Sequence, residues 1–134
     1  MKIPDELNYT SEHLWVRPAE DGCWFAGITD YAQDLLGDIV YVDAPAVGKV
    51  LRAGIPCGLI ESVKTGSDLH APLDGTVEEI NKALQNTPGQ INDAPYVAWI
   101  FKFRPNNRAD ATKLLDAKAY RKLLSAQSGL DVQN

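Results

Sequence analysis

The sequence predicts a mainly β fold with one short internal helix and helices at its C-terminal end. Three observations carry that expectation. β-branched and aromatic residues fall in short runs, separated by Gly, Pro, Asn and Asp. One early stretch pairs Tyr31 with Leu35 and Ala32 with Leu36 at helical spacing. Beyond Arg104-Pro105-Asn106-Asn107 the pattern turns helical again, with Tyr120, Leu123 and Leu124 on one face and Arg121 and Lys122 on the other.

In chain order, the segment from Asn8 opens with a polar turn and enters a first strand near Leu14. Residues 18–22 read as a loop, with Asp21-Gly22 as the turn signal. A returning strand over 23–28 follows. Thr29 is placed to cap a helix, Asp30 favours its positive N-terminal end, and Gly37 stops it. Residues 38–42 are β-branched and apolar, hence a strand, and 45–48 a turn. From Lys49 the pattern reads as all β until about residue 104. Within it, 52–56 is a turn, 57–60 is the ascending arm of a hairpin, and 69–77 leads out of it. Asp74-Gly75 marks a tight turn, and Val77 and Ile80 are the inward residues of the next strand. Residues 86–89 form a loop, and 99–103 is strongly β-prone. Arg104 to Asn107 breaks the sheet, and Asp110 and Asp116 each precede a helical pattern. Gly129 stops the last helix, and 131–134 reads as a frayed tail. The length suits one domain over 1–134, with 105–134 as its C-terminal helical part and tail.

Composition excludes several functions. A net charge of -5 argues against a nucleic-acid partner, which needs a basic surface. No run approaches the length of a membrane span. Met1-Lys2-Ile3-Pro4-Asp5-Glu6 holds no apolar export core, so a cytoplasmic location is expected. There Cys23 and Cys57 stay reduced. His13 and His70 stand in no zinc-ligand spacing with these cysteines. Phosphate-binding glycine loops and nucleophile elbows are absent too. The expectation is a carrier or binding module with no catalytic and no metal-ligating residue.

The hairpin tip carries the chemistry. Lys64 sits near the middle of a polar loop, beside Gly66, Ser67 and Asp68 as turn formers. A lysine there stands clear of the fold, where an enzyme can reach its amine. Most loop lysines are merely solvated; the neighbours of this one shift the balance. Glu61-Ser62-Val63-Lys64 followed by Ser67-Asp68 resembles the lipoyl attachment site of the glycine cleavage H-protein family. Further landmarks run in order: Glu12-His13, Trp15-Val16, Gly27-Ile28-Thr29-Asp30-Tyr31, Leu36-Gly37-Asp38, Ala71-Pro72, Ile91-Asn92 and Asp116-Ala117-Lys118-Ala119-Tyr120.

That resemblance implies a barrel-sandwich hybrid: two antiparallel sheets, C-terminal helices packed against them, and lipoyllysine on the hairpin. It implies a non-catalytic carrier with lipoic acid bound covalently to Lys64. Glu61, Ser62, Val63 and Asp68 form the attachment context, and Glu12, His13 and Leu14 a candidate cleft for the arm. Glu61 and Asp68 give the tip negative charge, which favours docking to basic partner surfaces. Biotin carriers usually flank their lysine with methionines, whereas Val63 and Thr65 flank Lys64. Lipoyl domains of 2-oxo-acid dehydrogenases usually have Asp before the lysine.

Some positions depart from the family pattern. Its usual Glu-His-Glu-Trp reads Glu12-His13-Leu14-Trp15 here, so Leu14 removes a carboxylate. Its usual Asp-Pro-Tyr-Gly-x-Gly-Trp reads Ala94-Pro95-Tyr96-Val97-Ala98-Trp99, without either glycine and one residue shorter. The attachment site is spared while its surroundings change. That pattern resembles the lipoate-binding proteins of bacterial sulfur oxidation. The expected cargo is then sulfur, with a heterodisulfide-reductase-like complex or sulfurtransferase as partner. The alternative is the glycine cleavage H protein, carrying an aminomethyl group among the P, T and L proteins. Either requires a lipoate ligase or a lipoyl/octanoyl transferase. A third reading is an interaction domain with unmodified Lys64.

Overall fold

A computed structural model of the chain describes residues 1–128. Strand β1 (Asn8–Tyr9) pairs with β2 (Leu14–Pro18), which pairs with β3 (Trp24–Ile28). Helix α1 (Asp30–Leu36) leads to β4 (Ile39–Asp43) and the short β5 (Val50–Leu51). The hairpin is β6 (Pro56–Ser62) and β7 (Gly66–His70). After it come β8 (Gly75–Ile80), the one-turn helices α2 (Ala83–Asn86) and α3 (Gln90–Asp93), β9 (Phe101–Pro105), and α4 (Ala117–Ser128). Two sheets result, ordered β1-β2-β3-β9-β8-β5 and β4-β6-β7. Every pairing is antiparallel, as the mainly β reading requires.

Residues of both sheets meet in one core. Val16, Ala26, Phe101 and Phe103 of the large sheet pack with Ile39, Ile60 and Leu69 of the small one. A second cluster lies on the outer face of β1 and β2. There Tyr9 and Trp15 meet Ile3 and Leu7 of the N-terminal segment and Ala117, Tyr120 and Leu124 of α4. Tyr9 and Tyr120 stack with ring centroids 4.6 Å apart and planes 4° from parallel. Trp15 faces Gly27 across the strand pair, and a Cβ on Gly27 would come within 2.7 Å of the indole. Only glycine leaves that ring its seat.

Local signals account for α1. The Thr29 hydroxyl accepts from the Ala32 N–H at 3.3 Å, and Gly37 ends the helix at φ 81. The three-residue spacing of inward Val77 and Ile80 has a physical cause as well. A bulge between Val77 and Glu79 resets the pleat, so Val77 faces Phe103 and Ile80 faces Phe101.

Four expectations need correction. The stretch from 49 to 104 is not all β: α2 and α3 interrupt it. Each is a single turn that inserts one apolar side chain, Leu84 or Ile91, into the core. The last strand starts at Phe101 rather than Trp99, and Arg104 and Pro105 belong to it instead of breaking the sheet. Pro105 is tolerated because it stands at the strand's end, opposite Gly75. The helical turn at 108–113 is capped by Asn107, whose side chain accepts from Ala109 N–H at 3.0 Å. Asp110 pairs with Lys113 instead. Asp116 does cap α4, accepting from Ala119 N–H at 2.8 Å. Gly129 and the tail at 131–134 lie outside the described residues.

Candidate functional site: a lysine turn beside an acidic-rimmed groove

β6 and β7 pair from Pro56↔His70 to Glu61↔Gly66, leaving a tight turn from Ser62 to Thr65. The turn is built by Ser62. Its backbone N–H donates to Thr65 O at 2.7 Å. Its hydroxyl accepts from Lys64 N–H at 3.3 Å and Thr65 N–H at 3.1 Å, and donates to Thr65 O at 3.1 Å. A serine oxygen thus takes over the part that a left-handed glycine plays in other turns. The turn formers expected from sequence, Gly66, Ser67 and Asp68, lie in β7 instead. Strand pairing claims them because Glu61 and Ile60 face Gly66 and Ser67 in register.

The turn is tied to the rest of the molecule through Val63, whose N–H donates to Asp38 O at 3.0 Å. The Val63 side chain points to solvent, 69% exposed. Lys64 is exposed too, but it does not stand clear of the fold. Its stem lies over Gly37 at the end of α1, where a Cβ would sit 3.5 Å from Cε and 4.0 Å from Nζ. A helix C-terminus favours a cation there.

Beside the turn runs a groove of about 130 Å³. Its floor is apolar: Leu14, Ile28, Ile60 and Leu69, each 4% exposed or less. Ala32, Leu35 and Leu36 of α1 form one wall. Glu12 and Asp68, both exposed, stand at its rim. The structure therefore brings together Glu12, His13, Leu14 and Asp68, far apart in sequence. Glu61 is exposed on β6, next to the turn, and is not among the residues lining the groove.

His13 is held in an unusual backbone state, φ 68. The turn around it is closed by Thr10, whose hydroxyl accepts from Glu12 and Leu14 N–H, and by Thr29 N–H donating to His13 O at 3.0 Å. The imidazole Nδ1 lies 2.9 Å from the Tyr120 hydroxyl, which lies 2.7 Å from Thr29 Oγ1. Thr29 Oγ1 also accepts from Ala32 N–H, so the cap of α1, the Tyr120 hydroxyl and the His13 ring form one hydrogen-bonded chain. Burial pushes the imidazole pKa down, opposed by the Glu12 carboxylate, so the ring is neutral at neutral pH. The same burial, again desolvation, pushes the Cys57 thiol up to about 11. Cys57 and Cys23 are buried, and neither lines the groove.

Sequence reasoning missed Gly37, Asp38 and Asn92 as parts of the site. Leu36-Gly37-Asp38 and Ile91-Asn92 stood out as landmarks, but nothing in sequence links them to the lysine turn. Asn92 Oδ1 accepts from Ile39 N–H, and its amide donates to Gly37 O, each at 2.9 Å.

Comparison with known proteins agrees with this geometry. The model of the glycine cleavage H-protein family matches residues 7–127. The glycine cleavage system H protein of Methylobacillus flagellatus is 68% identical over 124 residues, 92% of this chain and 99% of that one. That of Nitrosospira multiformis is 47% identical over 127 residues, 95% and 98% of the two chains. A crystal structure of a glycine cleavage system H protein from Mycobacterium marinum superposes with a TM-score of 0.81 at 38% identity, covering 96% of this chain and 100% of that one. These similarities do not support the expected sulfur cargo or its heterodisulfide-reductase-like partner. The structure shows why Leu14 was a poor discriminator: its side chain is floor, 1% exposed, while Glu12 and Asp68 keep the rim acidic without it. The chain belongs to the glycine cleavage H-protein family, non-catalytic carriers that hold lipoate covalently on a lysine.

Proposed function

We propose that Lys64 is the lipoylated residue and that the chain serves as the H protein of a glycine cleavage system, carrying the aminomethyl group derived from glycine. The observation that carries this is the Ser62–Thr65 turn, which presents an exposed Lys64 over Gly37, the residue after Leu36 in the wall of the groove rimmed by Glu12 and Asp68. The residues present fit lipoate: an exposed primary amine to form the amide, and an adjoining trough whose floor is apolar. When bound, that group supplies the sulfur atoms that take up and release the cargo.

The chain's own residues supply the rest. Ser62 fixes the turn so that the amine meets an attaching enzyme, a lipoate ligase or a lipoyl/octanoyl transferase, in one geometry. Leu14, Ile60 and Leu69 give an apolar arm a dry surface. Glu12 and Asp68 offer carboxylates to the ammonium of an aminomethyl cargo, which is costly to desolvate unpaired. His13, neutral and fixed by Tyr120, adds no competing positive charge. Partners in this reading are the P, T and L proteins, met in the cytoplasm. One carrier domain spans 1–134, and 105–134 belongs to it.

Intact and peptide mass spectrometry of protein from its own host tests the attachment. One lipoyl group on Lys64 is expected. An unmodified Lys64 beside a competent lipoylation system overturns the reading. The cargo is tested with the lipoylated protein in a reconstituted glycine cleavage assay, where turnover close to that of an authentic H protein is expected. Negligible turnover by the fully lipoylated protein refutes the assignment of cargo.

A further inference from the structure

Asn92 is one side chain of α3 whose hydrogen-bonding groups are all engaged at the base of the lysine turn. Its Oδ1 accepts from Ile39 N–H at 2.9 Å. Its two amide hydrogens go to Gly37 O and Gln33 Oε1, both at 2.9 Å. Gln33 in turn donates to Asp30 Oδ1 at 2.8 Å, which fixes the orientation of its own amide. A primary amide has two hydrogens and one oxygen to offer, and here each has a partner. α3 is a rigid base for such a grip, because the neighbouring Ile91 is fully buried.

The backbone groups that Asn92 holds are those of residues 37 and 39. Between them lies Asp38, whose carbonyl accepts from Val63 N–H in the lysine turn. Ile39 opens β4 and faces Ser62, the residue that builds the turn. Gly37 lies beneath the Lys64 stem. Gln33 sits on α1, which forms a wall of the groove. One side chain therefore joins the groove wall, the support of the turn and the residue under the lysine.

We propose that Asn92 is a positioning residue for the lysine turn: through Gly37, Asp38 and Ile39 it holds Val63 and Lys64 in the geometry an attaching enzyme reads, and keeps the α1 wall in register with them. The inference rests on Lys64 being the attachment residue. With Asn92 lost, no side-chain hydrogen bond among the described residues holds the 37–39 backbone, and Val63 hangs from a looser carbonyl. The turn must then be ordered on docking, and that ordering is subtracted from productive binding.

The test uses the full chain in its unlipoylated form, a lipoate ligase, lipoate and ATP. Three variants are compared with the wild type. Asn92→Ala removes all three contacts. Asn92→Asp, nearly isosteric, keeps the acceptor for Ile39 N–H but can donate to neither Gly37 O nor Gln33 Oε1, and it carries the test if the alanine variant does not fold. Asn81→Ala is the control. Asn81, which follows β8, also bonds to backbone, donating to Trp99 O at 2.8 Å and accepting from Ala83 N–H at 3.3 Å, with neither bond reaching residues 37–39. The two readouts are the kinetics of attachment at Lys64 and amide hydrogen exchange at Val63.

Asn92→Ala is expected to lower kcat/KM for attachment about tenfold, chiefly through KM, as when one hydrogen bond's worth of ordering must be re-supplied on docking. Val63 exchange should accelerate by a similar factor. Asn92→Asp, whose carboxylate oxygen faces the acceptors Gly37 O and Gln33 Oε1, should fall at least as far. Asn81→Ala should melt at a lower temperature yet be modified at the wild-type rate. Both Asn92 variants reacting like the wild type, or Val63 exchange rising no more than in Asn81→Ala, overturns the inference. If the ligase modifies another carrier but leaves wild-type Lys64 untouched, the attachment reading fails, and Val63 exchange still decides whether Asn92 braces the turn.

Discussion

Lys64 and His13 show how differently two polar residues of one site bear on folding. The Lys64 side chain is exposed and rests over Gly37. Lys64→Ala should therefore change stability by no more than about 0.5 kcal/mol, while abolishing lipoylation; thermal melts and mass spectrometry check both. A large loss of stability would make the lysine structural. His13 is the reverse case. Burial depresses its folded pKa below the ordinary value near 6.5. For a base with a depressed folded pKa, the unfolded chain binds the proton first as pH falls. The stability His13 contributes is thus fully present above about pH 6.5 and is lost below it. Melts at pH 7.5 and 5.0 should show a larger drop for the wild type than for His13→Gln. Lys64 stands out in sequence because its neighbours resemble a known attachment motif. The confinement of His13 does not, since Tyr120 lies 107 positions away.

The lysine turn owes its shape to a side-chain oxygen. Ser62→Ala removes the acceptor for two backbone N–H groups and leaves them to solvent or unpaired. It should cost about 1–3 kcal/mol and speed exchange at Lys64 and Thr65, with the core amides unaffected; hydrogen exchange measures both. The hairpin itself was evident from two apolar runs flanking a polar stretch. Its exact turn residues were not, because turn propensity pointed to Gly66-Ser67-Asp68 while strand register placed them in β7. α1 was readable for the opposite reason: Thr29 and Gly37 are local signals that act on their own helix. The single turns α2 and α3 gave no periodicity to detect. They exist because Leu84 and Ile91 find the core, which is a tertiary event.

Across the whole molecule the two clusters share the work of stability. Trp15 of β2 is fully buried against Gly27 and the 94–99 segment, its indole N–H donating to Pro95 O at 3.0 Å. Trp15→Ala should cost about 3–5 kcal/mol, read from denaturant unfolding. Buried and half-buried tyrosines set the alkaline limit. Desolvation raises the phenols of Tyr9, Tyr96 and Tyr120, that of Tyr96 to about 12. An acid whose folded pKa is raised contributes stability below its unfolded pKa and loses it as pH rises toward the folded one. Stability should therefore decline from about pH 10 upward, and Tyr96→Phe should shallow that decline in melts between pH 9 and 12. By itself the sequence determined the mainly β architecture, α1 with its cap, the hairpin and the lysine upon it, because these rest on alternation, capping and turn chemistry within a few residues. Only the tertiary structure decided that Glu12, His13, Leu14 and Asp68 share one groove, and that Asn92 grips the base of the turn. Asn92 lies 53 to 59 positions from its partners, and no local pattern encodes a pairing set by how two sheets and two helices close around a common core.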